Sequence, residues 1–261
     1  MRVQRHFSEG DGGSVSIPKF MAWRKAQAFQ SMAAYDFGSI TLNLGSRDQA
    51  NPVNGVHVTS GFFDVFGVKP ILGRTFSAEE DLPNAGKFAV VTFDFWKNRL
   101  GSDRDMAGKT IALNSEPYMV LGVLPEGYQP DPPTDLYLPE QFDPNSNNQG
   151  HIYLVAGRLR PGASIESAKA ELQVIGDQFR AAHADIVSKT ESIGVVPLRV
   201  AIGGEVRPVL VILVGAVSFV LLIACTARQA ATKTLPRIYA DVHGLVNDLA
   251  RYVLSKMLWR R

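Results

Sequence analysis

The stretch of this 261-residue chain that comes nearest to a chemical constellation is Ala107-Gly108-Lys109-Thr110. It ends like the phosphate-binding loop GxxxxGK[ST], in which backbone N–H groups and a helix N-terminus face phosphate oxygens. That chemistry needs a glycine at position 103, a strand before the loop and a helix after it. Position 103 is Asp103, a helical pattern precedes and a strand pattern follows. The stretch therefore reads as a turn into a strand, and no nucleotide is expected there. His6, His57, His151, His183 and His243 stand singly, with no HxxxH or HExxH pair to set two ligands on one helical face. They read as solvated or core-satisfied side chains. Glu79-Glu80-Asp81 sets carboxylates in a row, but neighbours in a row face different directions, which suits a solvated helix start. No GxSxG elbow supplies a hydrolase nucleophile. Cys225 is the only cysteine and lies in an apolar run, so one chain can build neither a disulfide framework nor a thiolate metal cluster. The residues thus nominate no catalytic, cofactor-binding or metal-ligating group, and no cofactor; the chain is read as not an enzyme.

The elements expected to carry these residues interleave without a regular period. Residues 1–17, with the Gly- and Ser-rich run SEGDGGSVS, read as a flexible lead-in. Apolar residues at Phe20, Trp23, Ala26, Phe29 and Ala33 predict a helix from Pro18 to Tyr35. Strands are expected around Ile40–Leu44 and Val53–Val58, on either side of a turn at Gly45-Ser46-Arg47-Asp48. Ser60 is the candidate N-cap of a helix that stops at Gly67, and Ser77 with Glu80 forms a capping-box pattern for a second short helix. A strand at Phe88–Val91, a helix at Asp94–Leu100 and a hairpin of Thr110–Leu113 with Pro117–Leu124 follow. Residues 125–150, with six prolines, read as an irregular loop. Ile152–Leu159 is expected as a strand, Ser164 to about His183 as a helix, and Ser192–Val200 as the last strand. The fold class is α+β, a mixed sheet with βαβ-like units.

Pro208 to Ala227 reads PVLVILVGAVSFVLLIACTA, uncharged and flanked by Arg207 and Arg228. Twenty residues at ~1.5 Å each match a hydrocarbon core of ~30 Å, so residues 207–228 are expected to form one transmembrane helix in the lipid bilayer. The tail 229–261 traces a basic amphipathic helix. Residues 226–261 hold seven Lys/Arg against two Asp/Glu, which leaves the body with 20 basic and 23 acidic side chains. Such a body is no polyanion surface, and nucleic acid is not an expected partner. The tail's excess charge favours a cytoplasmic C-terminus and residues 1–206 outside, although Lys189, Arg199 and Arg207 balance Arg228, Lys233 and Arg237 close to the helix.

Several stretches follow one another in order: Val58-Thr59-Ser60-Gly61-Phe62-Phe63-Asp64-Val65-Phe66-Gly67-Val68, Leu72-Gly73-Arg74-Thr75-Phe76 and Trp96-Lys97-Asn98-Arg99-Leu100-Gly101. Gly108-Lys109-Thr110-Ile111, Tyr118 to Pro125 with Gly127, Ala156 to Gly162, and Arg207-Pro208 leading to Cys225 continue the series. This succession resembles the MacB-like periplasmic core domain of ABC-transporter permeases, in particular the duplicated orphan permease branch. The resemblance implies an extracytoplasmic core domain at 18–206, with a porter-like βαβ part and a smaller inserted part. It further implies residence in the plasma (inner) membrane, a non-catalytic role in efflux through transmitted motion, and a separate ATP-binding subunit with other permease spans as partners. A homodimer is also expected. The family continues with spans on both sides, so the chain reads as a permease fragment; a membrane-tethered ligand- or protein-binding module is the alternative.

Overall fold

The computed structural model describes residues 1–7, 10–45, 51–128, 133–184, 187–188, 190–203, 212–221 and 224. Two compact units divide the chain, Met1–Ile202 and Gly203–Arg261. In order, the elements are β1 (Arg2–Phe7), β2 (Gly10–Gly12), α1 (Ile17–Trp23), β3 (Phe29–Asp36), β4 (Ile40–Asn43) and β5 (Pro52–Val58). Then come α2 (Phe62–Phe66), β6 (Leu72–Gly73), β7 (Phe88–Val91), α3 (Phe93–Arg99), β8 (Thr110–Leu113) and β9 (Glu116–Val123). The series closes with β10 (Leu136–Pro139), β11 (Tyr153–Leu159), α4 (Ile165–Ala182), β12 (Ser192–Val196) and α5 (Leu198–Gly203).

One mixed sheet of order β12-β1-β11-β3-β5-β10-β7-β9-β6 holds the strands, with β2 beside β1, β4 beside β5 and β8 beside β9. Its first half is built from two βαβ units, β1-α1-β3 and β11-α4-β12, whose strands interleave antiparallel as β12-β1-β11-β3. This is a split βαβ arrangement. Both helices bury their apolar stripes against it, Phe20 and Trp23 from α1 and Ala168 and Leu172 from α4, over Val3, Val155 and Val195. Ser164 opens α4 with a reciprocal capping box to Ser167, which satisfies N–H groups that a helix start leaves without partners. The second half, β5-β10-β7-β9-β6, comes from chain inserted between β3 and β11. It mixes parallel pairs, β5 with β10 and β7 with β9, and antiparallel ones.

The halves meet at β3 and β5, whose ladder registers Tyr35 with Val58. Side chains reinforce this seam. The Ala34 N–H donates to Thr59 Oγ1 at 3.0 Å, and that hydroxyl donates to Ala34 O at 3.2 Å. Arg158 Nε donates to the Asp64 and Val65 carbonyls at 2.9 and 3.1 Å, near the C-terminal end of α2. Ala33 and Ala156 from one half share a buried cluster with Val56, Phe62, Phe63 and Tyr137 from the other.

Several expectations are corrected. The helix expected over Pro18–Tyr35 stops at Trp23, and the rest of that stretch becomes β3, because Phe29–Asp36 pairs with β11 along its length. Helical spacing and strand pairing compete there, and tertiary pairing wins. The lead-in 1–17 carries β1, which pairs with β11 and β12 and buries Val3, so cross-strand partners order it. The loop 125–150 contains β10, whose Leu136, Tyr137 and Leu138 are buried between β5 and β7. Gly61 and not Ser60 precedes α2, and Ser77 with Glu80 makes the expected reciprocal bonds around turns without a helix. The last strand ends at Val196, after which α5 forms.

Of the expected membrane span 207–228, residues 212–221 and 224 are described; they are helical, and Ile212, Phe219 and Val220 expose their side chains. Among the described residues, no helix is long and apolar enough to cross a membrane. The tail 229–261, Cys225 and the turn residues 46–50 lie outside the described residues.

Candidate functional site

Asp36 ends β3, His57 is the penultimate residue of β5, Glu140 directly follows β10 and Tyr153 opens β11. Strand register brings these four positions together. Tyr153 lies opposite Asp36, and the pairing of Tyr35 with Val58 sets Asp36 opposite His57. On the other side of β5, Leu138 lies opposite His57, two residues before Glu140. Opposed residues share a face, so the side chains converge.

His57 Nδ1 lies 3.0 Å from Asp36 Oδ2, and the Tyr153 hydroxyl donates to Glu140 Oε1 at 2.7 Å. Both contacts cross the seam, each linking the first half of the sheet to the inserted half. One ligand atom each from Asp36, His57 and Glu140 lies within 4.8 Å of the others, and all three residues are half-buried. Glu140 Oε2 is buried and finds no hydrogen-bond partner among the described residues.

The electrostatics follow from this crowding. Burial pushes the Glu140 carboxyl up to about 7, with the Asp36 and Asp81 charges adding to it and the Tyr153 hydrogen bond and His57 opposing. Burial works against a charged His57 imidazole, yet the Asp36 hydrogen bond and the Glu140 and Asp36 charges together hold it above its ordinary value. Burial raises the Tyr153 phenol, and its bond to Glu140 raises it further. Asp81 is raised by burial while it accepts from the Ser60 and Gln141 N–H groups at 2.7 and 3.1 Å. Imidazole nitrogen and two carboxylates in one half-buried cluster are a donor set that can hold a divalent cation.

Spacing along the chain carries no trace of this cluster. Asp36, His57 and Glu140 come from three strands or strand ends, and only the register of β3, β5 and β10 juxtaposes them. A carboxylate at a strand end opposite a strand histidine was the available signal, and it requires the pairing to be known first.

The other singled-out residues are dispersed. Gly108 adopts a φ of +90° and donates its N–H to Val120 O at 2.8 Å, while Lys109 pairs with Asp103. Thr110 then enters β8, so the loop makes the expected turn into a strand. Glu80 forks onto Arg74 at 2.7 and 2.6 Å while Asp81 turns to Ser60 and Gln141, so the neighbouring carboxylates do point apart. His151 Nε2 lies 3.2 Å from Lys19 Nζ, and Lys19 pairs with Glu191 at 2.5 Å. His183 stacks on Phe179 at 4.2 Å between ring centroids, and His243 lies outside the described residues. An open groove of ≈ 560 Å³ along α1 and α4 is lined by Ala22, Lys25, Val174, Ile175, Phe179 and His183.

The family model of the MacB-like periplasmic core domain matches residues 1–175. Among solved structures, the chain is similar to the extracellular domain of the noncanonic ABC-type transporter YknZ from Gram-positive bacteria. The identity is 16%, the coverage 75% of this chain and 100% of that one, and the TM-score 0.51. It is similar to the periplasmic region of MacB from Actinobacillus actinomycetemcomitans at 18% identity, covering 74% and 87% of the two chains with a TM-score of 0.52. A domain assigned to a permease protein of Porphyromonas gingivalis matches at 19% identity, 75% and 89% coverage and a TM-score of 0.54. At these identities the likeness is one of fold. No curated protein sequence matches the chain.

Proposed function

Because this chain belongs to the family of MacB-like periplasmic core domains, we propose that it is the extracytoplasmic part of an ABC-type permease and relays conformational change during substrate efflux. The observation that carries this reading is the family match across residues 1–175, laid over a split βαβ half and an inserted half that share one sheet. A relay needs two bodies that each hold their shape and a junction at which they meet. Separate apolar clusters within the halves, and one cluster crossing the β3–β5 seam, supply these.

In this reading residues 1–206 lie outside the cytoplasm, and residues 207–228 cross the inner membrane once, supported by their uncharged length and flanking arginines. Residues 229–261 form a basic amphipathic tail. A separate ATP-binding subunit drives the cycle and further permease spans complete the pathway, with a homodimer as the assembly. The role is mechanical, so no catalytic residue is assigned. Co-expression with an ATP-binding subunit in membranes tests it: membrane fractionation and co-purification of the two are expected. A chain that stays with membranes and captures no such subunit, yet is stabilised by a ligand on its own, would replace this reading with that of a tethered binding module; one that partitions away from membranes would overturn both.

A further inference from the structure

We propose that Asp36, His57 and Glu140 form a binding site for a divalent first-row transition ion of the zinc class, tying β3 to β5 and β10 across the seam of the sheet. This goes beyond the transporter reading, which requires no metal. Three observations support it. The donor atoms of the three side chains already lie within 4.8 Å of one another, brought there by strand register and not by a mobile loop. The Asp36–His57 hydrogen bond explains those two side chains, but it leaves Glu140 Oε2 buried with no hydrogen-bond partner among the described residues. A buried acceptor without a partner is costly, and a cation on it removes that cost. Tyr153, finally, holds the other Glu140 oxygen at 2.7 Å, the kind of outer hydrogen bond that orients a carboxylate ligand.

The donor set selects the class of ion. Calcium and magnesium seek six or more oxygen ligands, whereas zinc accepts imidazole nitrogen with carboxylate oxygen. Three protein ligands leave one tetrahedral position for water.

The test uses the full chain, stripped of metal with a chelator and titrated with zinc chloride by calorimetry and thermal unfolding, with magnesium and calcium chloride as controls. One zinc per chain and a raised Tm are expected, with a much weaker response to magnesium or calcium. Asp36→Asn, His57→Gln and Glu140→Gln should each weaken zinc binding at least tenfold, and His6→Gln should leave it unchanged. Tyr153→Phe should weaken it by less than a ligand change does. Should a ligand variant unfold, hydrogen exchange on the unaltered chain still decides, with zinc-dependent protection expected at the ends of β3 and β5. The proposal is overturned if no stoichiometric zinc binds, if the three ligand variants bind as the unaltered chain does, if magnesium binds equally well, or if protection appears elsewhere.

Discussion

At the scale of single residues, the side chains that matter most are those whose burial forces a pairing. Lys19 and Glu191 form an ion pair at 2.5 Å with side chains only 4% and 10% exposed, joining α1 to the segment before β12. Removing one partner leaves the other charge buried, so Lys19→Ala should lower stability by about 3 kcal/mol in urea unfolding. The double variant Lys19→Met with Glu191→Leu should recover most of that loss. His151 beside this pair is held down to about 4 by burial, with Arg5 and Lys19 adding repulsion. The unfolded chain therefore takes up the proton first. Stability from this group is fully present above pH 6.5 and is lost as pH falls towards about 4. Urea midpoints across that window should fall less steeply for His151→Gln than for the unaltered chain. Residue types alone did reveal that Gly108-Lys109 turns into a strand and that Glu80 and Asp81 point apart, but not that Asp81 turns inward to Ser60 and Gln141 where a solvated helix start was expected. They did not reveal the seam cluster, because no local pattern relates Asp36, His57 and Glu140.

At the scale of elements, what was legible was local. Gly67 ends α2 at a φ of +70°, Asn114 and Ser115 turn the β8–β9 hairpin at φ values of 51° and 70°, and Ser164 caps α4. Each is a choice the chain makes with its immediate neighbours. The misread elements, β1, β3 and β10, owe their form to partners far along the chain, namely β12, β11 and β5. Close backbone approach separates two glycines that look alike in the sequence. A Cβ at Gly122 in β9 would lie 2.5 Å from Arg74 O and 2.9 Å from Leu72 O, whereas at Gly101, with a φ of +71°, it would meet open space. Gly122→Ala must displace β6 and should cost about 3 kcal/mol. Gly101→Ala bears only its left-handed conformation and should cost ~1 kcal/mol. Denaturant midpoints of the two variants compare them directly.

At the scale of the whole molecule, residues Met1–Ile202 form one unit whose sheet is continuous through both halves. Expressed alone, residues 1–202 should unfold in a single cooperative transition, because the cluster of Ala33, Ala156, Phe62 and Tyr137 spans the seam. Two transitions in calorimetry would show instead that the halves melt separately. The α+β class and the β11-α4-β12 unit were legible from interleaved strand and helix patterns, whereas the β1-α1-β3 unit and the single sheet were not, since their form depends on how distant strands join. That join has an implication for design. β3 and β11 are antiparallel neighbours, and their last and first residues, Asp36 and Tyr153, face each other across one rung of the ladder. Facing Cα atoms in such a ladder are ~5 Å apart, a gap that a two-residue hairpin closes. A two-residue turn there should therefore hold the four framing strands in the same order without the intervening chain, so that stretch can be handled as an exchangeable cassette in a minimal or chimeric design.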